Sequence, residues 1–194
     1  MKMELVFATA NQNKVIEVQK LIGQKFKLLS LKDINYTEEI PETADTFKGN
    51  ALQKAKFIYD KFKLNCFADD SGLEVEVLNG APGVYSARFA GEPKNDANNT
   101  KKLLNELQGK INRKACFKTA IVLIVDGKEE FFEGKITGQI TQNPIGKDGF
   151  GYDPVFMPDG YNKTFAQMTL EEKNIISHRA IAIQRLVHFL AAKA

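Results

Sequence analysis

The 194-residue chain carries 27 basic and 24 acidic residues, a net charge of +3, with 43% apolar and 26% charged residues. That balance excludes collagen-like, coiled-coil and disordered chains, and it leaves no broad electrostatic footprint for duplex nucleic acid. An anionic ligand must therefore be met locally.

The length suits one domain able to bury a core without disulfides. Cys66 and Cys116 lie in apolar runs, lack Cys-x-x-Cys spacing and read as buried thiols. The first residues lack secretory features and no apolar stretch approaches ~18 residues, so the cytoplasm is the expected compartment.

In chain order, the apolar run 5–8 predicts a strand, residues 9–14 a polar loop, and the spacing of Val15, Val18, Leu21 and Ile22 a helix ending at Gly23. A strand at 26–31 completes a βαβ-sized unit, and the acidic stretch 38–45 reads as a loop. Thr46 or Asp45 can cap a helix that carries Phe47, Ala51, Ala55, Ile58, Tyr59 and Phe62 on one side. A strand at 66–68 is expected to end in an acidic turn, Asp69-Asp70-Ser71-Gly72, with a second, alternating strand at 73–77. A polar helix is predicted from about 96 to 107. The runs 115–125 and 129–140 flank Asp126-Gly127, a hairpin signal. Residues 143–165 read as a loop rich in Gly, Pro and aromatics. Thr169-Leu170-Glu171-Glu172 has capping-box spacing, and Ser177 precedes an amphipathic terminal helix. Helices alternate with strands before the hairpin, which points to an α/β fold with a mixed sheet.

Four segments carry chemistry. Residues 9–14 form a strand-to-helix turn where backbone N–H groups and Lys14 favour an anion, although a plain capped turn has the same pattern and no Walker A motif is present. Asp69 and Asp70 should point to opposite faces of a strand, one carboxylate reaching a cleft and the other bracing the turn. Hard oxygen donors of this kind suit magnesium; an ordinary turn is the competing reading. Phe150, Gly151, Tyr152 and Asp153 place aromatics among glycines, fit either to stack on a base or to pack beneath a loop. Lys173 and Ser177-His178-Arg179 gather cations before the last helix, with Arg179 suited to bidentate bonding.

Taken together, these segments resemble the inosine triphosphate pyrophosphatase family, also described as dITP/XTP pyrophosphatases, over nearly the whole chain. The matching pieces are Thr-x-Asn-x-x-Lys at 9–14, Asn50-Ala51-Leu52-Gln53-Lys54-Ala55, Ala68-Asp69-Asp70-Ser71-Gly72-Leu73, residues 80–88, Phe150-Gly151-Tyr152-Asp153-Pro154, Glu172-Lys173 and Ser177-His178-Arg179. The resemblance implies an α/β fold with an elongated central mixed β-sheet flanked by helices, and one two-lobed domain over 1–194 with a cleft between the lobes. It implies a homodimer. Thr9, Ala10, Asn11, Gln12, Asn13, Lys14 and Lys54 would bind the triphosphate, Asp70 would be the catalytic carboxylate and a Mg2+ ligand, and Ser71 would contact substrate. Phe150, Gly151, Tyr152, Asp153, Lys173, His178 and Arg179 would surround the base, Tyr152 stacking on it and His178-Arg179 reading a 6-keto group. Ala10 stands where the family loop has glycine. The family's additional metal-associated residue, a glutamate, would correspond to Glu42, with Glu39 as the alternative.

The expected reaction is hydrolysis of ITP, dITP or XTP to the monophosphate and pyrophosphate. The competing expectations are a Maf-like nucleotide pyrophosphatase of other base specificity and a nucleotide-binding regulator without turnover. No stable nucleic-acid or membrane partner is expected.

Overall fold

The computed structural model describes residues 3–23 and 26–193. Its strands are β1 (Met3–Phe7), β2 (Phe26–Leu29), β3 (Cys66–Val75), β4 (Lys114–Val125), β5 (Lys128–Ile140) and β6 (Phe156–Pro158), and its α-helices are α1 (Gln12–Ile22), α2 (Phe47–Phe62), α3 (Asp96–Glu106), α4 (Leu170–Ile176) and α5 (His178–Lys193). The strands form one sheet in the order β2-β1-β3-β4-β5-β6. β1 pairs in parallel with β2 and β3, and β5 antiparallel with β6, so the sheet is mixed and the fold α/β as expected. The chain divides into two compact units, the first made of Met1–Asp70, Thr119–Gly134 and Arg179–Ala194, the second of Ser71–Lys118 and Lys135–His178.

In the first unit the sheet is apolar on both faces, which is what parallel strands covered by helices require. Odd-numbered Leu5, Phe7, Phe67, Ile121 and Leu123 pack with Val18 and Ile22 of α1 and with Ile183, Leu186 and Leu190 of α5. Even-numbered Val6, Ala8, Cys66, Ala68, Val122 and Ile124 pack with Ala51, Ala55 and Ile58 of α2. The side-chain period of two sorts the strands between these layers. Each fully buried Leu, Ile or Phe contributes about 1.5–3 kcal/mol, so the two layers hold the strands in register. The Cys66 thiol donates to the Ala55 carbonyl at 3.3 Å, and burial pushes its pKa up to about 12, so it stays protonated. The second unit has its own core, in which Leu73, Leu103, Leu107, Phe117, Ile140, Tyr152, Phe156 and Phe165 meet.

Helix starts follow the sequence signals. Asn11 caps α1, Thr46 caps α2 and Thr169 forms a reciprocal capping box on α4. α1 begins at Gln12, earlier than the apolar spacing predicts, because the Asn11 side chain accepts from the N–H groups of Asn13 and Lys14. Residues 143–165 include the short strand β6, which the irregular composition hides.

The largest difference concerns the acidic segment. Residues 69–72 do not turn: β3 runs without a break from Cys66 to Val75. Asp-Asp-Ser-Gly is turn-prone only while its side chains are solvated, and here both carboxylates are buried against partners from the helices. Tertiary contacts override the local preference. Among the described residues no helix is long and apolar enough to cross a membrane.

The hairpin between β4 and β5 turns on Asp126 and Gly127, with φ of 50° and 77°. Two successive left-handed residues make the type I′ geometry that a two-residue hairpin favours. Gly127→Ala is expected to destabilise the protein by about 1–2 kcal/mol, since a Cβ is strained at positive φ and would meet the Tyr59 hydroxyl at 3.3 Å. Urea unfolding of the purified variant measures this; an unchanged midpoint would contradict it.

Candidate active site

The alternation that builds the first unit also aims its carboxylates. Asp69 shares the parity of Phe67 and points to the layer of α1 and α5; Asp70 shares that of Ala68 and points to α2. Lys14 Nζ on α1 donates to Asp69 Oδ1 at 3.0 Å, and Arg179 Nε on α5 to Asp69 Oδ2 at 3.2 Å. Asn50 Nδ2 on α2 donates to Asp70 Oδ2 at 2.9 Å. The two acids sit in different chemical surroundings although they are adjacent in sequence.

A second support comes from the loop before α2. Asn50 Oδ1 accepts the Ala44 N–H at 2.9 Å and Gln53 Oε1 the Thr43 N–H at 3.0 Å, so α2 holds the loop. That anchoring sets the Glu42 carboxylate against Lys54 Nζ. Glu39, the alternative, is exposed. Asn50 thus bridges the loop and Asp70.

The surrounding charges separate the two acids further. Burial alone would raise the Asp69 carboxyl, but the Lys14, Arg179 and Lys54 cations outweigh it and hold the group well below the usual carboxylate range. Burial raises the Asp70 carboxyl from its ordinary value, against the opposing pull of Lys54, Lys14 and the Asn50 hydrogen bond. Burial likewise lowers the Lys14 ammonium, partly offset by Asp69. Two acids whose affinities for a proton are driven apart by environment are a common feature of catalytic centres.

Of the expected phosphate loop, Thr9 is buried, Ala10, Asn11, Gln12 and Asn13 are exposed, and Lys14 is half-buried. Asn11 N–H donates to Thr9 Oγ1, and Asn11 Oδ1 takes two first-turn amides, so part of the predicted anion cradle serves the helix cap. Ala10 is absent from the left-handed residues, which explains how alanine replaces glycine there. Lys54 is buried beside Glu42. Among the described residues no three His, Cys, Asp or Glu side chains are grouped to hold a metal alone. Asp70 and Glu42 match a magnesium ion in donor chemistry, because that ion typically takes one or two carboxylates and completes its shell with waters and phosphate oxygens.

The second unit holds the aromatic loop. Phe150 is half-buried and lies 4.8 Å from Lys173 Nζ across its ring face. Lys173 donates to Asp153 Oδ2 at 2.6 Å, and the same oxygen accepts the Phe150 N–H at 3.0 Å. Gly149 is required, since it adopts φ of 77° and a Cβ there would collide with the Asp153 carboxylate. Gly151 N–H donates to Asp96 Oδ2 at 2.7 Å. Phe150 and Gly151 line a cavity of about 800 Å³ whose other wall is α3, including Thr100, Lys101 and Leu104. Ser71 is half-buried in β3.

Three of the residues expected at the base sit in packed surroundings in this structure. Tyr152 does not offer an open ring: it is 4% exposed within the apolar core, and its hydroxyl donates to the Ser86 carbonyl at 2.8 Å. Phe150 is the accessible aromatic. The His178 ring stacks on Phe117 at 4.7 Å with the planes 9° apart, a packed position. Arg179 is 2% exposed and gives its Nε and Nη1 to Asp69 and Glu17. Its guanidinium is engaged by carboxylates, where the resemblance implied a purine carbonyl.

The sequence reading gave no site role to Glu17 or Asn50. A charged residue on the apolar stripe of α1, three after Lys14, was the available signal for Glu17. Tyr152→Phe is expected to cost about 1–2 kcal/mol, because the buried Ser86 carbonyl loses its donor. Guanidinium unfolding checks the figure, and a fully stable variant would contradict it.

The sequence model of the Ham1 family matches residues 5–189. A Flavobacterium psychrophilum protein named dITP/XTP pyrophosphatase is 54% identical over 187 residues, covering 96% of this chain and 98% of that protein. A Porphyromonas gingivalis protein of the same name is 52% identical, with 96% and 97% covered. Among solved structures, the Staphylococcus aureus Ham1 protein is similar with a TM-score of 0.89 at 39% identity, over 98% of this chain and 100% of that one. The extent and strength of these matches, on the fold and residues described, establish that the chain belongs to the Ham1 family.

Proposed function

We infer that this chain hydrolyses non-standard purine nucleoside triphosphates, dITP, XTP and ITP, to the monophosphate and pyrophosphate. The observation that carries the reading is the buried Asp70 on the α2 face of β3, with Asn50 bonded to it and Lys54, Lys14 and Glu42 acting on its charge. The names of relatives at 44–54% identity support the substrate class.

In the reaction, a water oxygen bonds to the α-phosphorus, the α–β bridging P–O bond breaks, and pyrophosphate leaves with the electron pair. Asp70, raised in pKa by burial, would orient the water or accept its proton. Lys54 and Lys14 offset the negative charge that would repel the nucleophile. Asp70 and Glu42 would hold Mg2+, which when bound supplies charge neutralisation at the phosphate oxygens. Exposed backbone and side chains of residues 10–13 are candidates for phosphate contacts. Phe150, Gly151, Asp153, Lys173 and His178 are candidates for holding the base: Phe150 lines an open cavity, and Lys173 and Asp153 fix the loop that carries it. Ser71 is a further candidate for a substrate contact. A homodimer, as the resemblance implies, and a cytoplasmic location, as the sequence suggests, belong to the same reading.

The test is pyrophosphate release from dITP, XTP, ITP and the four standard deoxynucleotides, with Mg2+ and with chelator. The expected result is release from the first three that chelator abolishes. Nucleotide binding without release would overturn the reading in favour of a regulator.

A further inference from the structure

Glu17 is a carboxylate on the inward face of α1, only 4% exposed, flanked by the buried Val18 and one turn beyond Lys14. Burying an ionised carboxylate is costly unless a cation and hydrogen bonds compensate. Here the cation is Arg179, whose Nη1 bonds to Glu17 Oε2. Arg179 Nε holds Asp69 Oδ2 at 3.2 Å, and Lys14 Nζ holds Asp69 Oδ1 at 3.0 Å. Glu17, Arg179, Asp69 and Lys14 therefore form a continuous line of alternating charge within the first unit.

We propose that Glu17 is a positioning residue: by anchoring Arg179, it keeps Asp69 turned so that the Lys14 ammonium is held in place to meet substrate phosphates. The argument is one of charge matching and geometry. Along this line two carboxylates alternate with two cations, and each oxygen of Asp69 has a donor. With Glu17 neutral, guanidinium and ammonium would compete for the single carboxylate of Asp69. The guanidinium wins that competition, because its planar fork matches a carboxylate and it is more weakly hydrated than an ammonium. Lys14 would then lose its anchor and move. Glu17 touches no substrate in this scheme and acts only through its neighbours. The inference rests on the assignment of Lys14 to the phosphates in the proposed function.

The test compares wild type with Glu17→Gln, which keeps the shape and removes the charge, and with Glu17→Asp, which keeps the charge on a shorter arm. Calorimetry with inorganic tripolyphosphate measures the phosphate grip without base or hydrolysis. Glu17→Gln is expected to weaken that binding by about 10-fold, in the range seen when one member of a coupled network is removed, and Glu17→Asp to weaken it less. With dITP, KM should rise more than kcat falls. The double variant Glu17→Gln/Lys14→Met should bind no more weakly than Lys14→Met alone, since the two residues act in series.

A purely structural Glu17 would lower the melting temperature and leave the affinity of the folded protein unchanged. Tripolyphosphate binding within about twofold of wild type, or losses that add in the double variant, would overturn the proposal. Should Glu17→Gln not fold, Glu17→Asp decides by the same measurements. A wild type that binds tripolyphosphate but releases no pyrophosphate from dITP counts against the functional reading alone. A wild type that binds no tripolyphosphate overturns this inference.

Discussion

Asp70→Asn is expected to lower pyrophosphate release from dITP by about 100- to 10,000-fold while leaving the protein at least as stable at neutral pH. Asparagine has the shape of aspartate, and its Oδ1 can still accept from Asn50 Nδ2, the donor that meets Asp70 at 2.9 Å. What disappears is an ionised oxygen in a place where burial works against ionisation. The sign of the stability effect follows from linkage. A carboxyl whose folded pKa lies above its unfolded value favours the folded state at low pH, and that contribution is lost as pH rises from the unfolded toward the folded pKa. Above the folded pKa the wild type therefore carries an unfavourable buried charge that the variant lacks. The variant's melting temperature should equal or exceed wild type at pH 7.5, and the gap should shrink as pH falls through the range where Asp70 takes up a proton. A variant that melts well below wild type at pH 7.5 would show that Asp70 is held for structure.

The opposite outcome is expected one residue earlier. Asp69→Asn should destabilise the protein by about 3–5 kcal/mol, the usual consequence of removing one partner from a buried ion pair. Lys14 and Arg179 both reach Asp69 in a place where water cannot replace the lost charge, for Arg179 is 2% exposed. Burial opposes ionisation of Asp69, yet Lys14, Arg179 and Lys54 hold its carboxyl below the ordinary range. Its contribution to stability is thus present above the unfolded pKa and lost as pH falls from there through the folded value. Denaturant unfolding should give a constant gap between wild type and variant from pH 5 to 8, narrowing below about pH 4. A gap that grew on acidification would contradict this assignment. Adjacent aspartates with opposite effects on stability would be a direct measure of the two faces of β3.

Those faces were readable in advance. Alternation along a strand places neighbouring side chains on opposite sides, and the apolar parity of Phe67 and Ala68 continues into Asp69 and Asp70. Caps were equally legible, since Thr46 and Thr169 act through local bonds that need only a few residues. The Asp126-Gly127 turn belongs with them, because its two left-handed residues are a local steric requirement.

The misread positions share another cause. Asp-Asp-Ser-Gly has the composition of a turn, and only cations and an amide brought from α1, α2 and α5 make an extended strand the better state. Tyr152 among glycines looked free to stack, but its ring belongs to a core assembled with Leu73, Leu103 and Phe117, residues distant in the chain. Glu17 and Arg179 are 162 positions apart, and nothing in either segment announces the pair. The sequence by itself determined the period of each element, the helix caps, the hairpin and the opposed directions of the two aspartates, because each is set by dihedral preference or repeat within a few residues. The tertiary structure alone decided which buried charge answers which, because a charge in a low-dielectric interior is stabilised by whatever partner the fold delivers, however far away it lies along the chain.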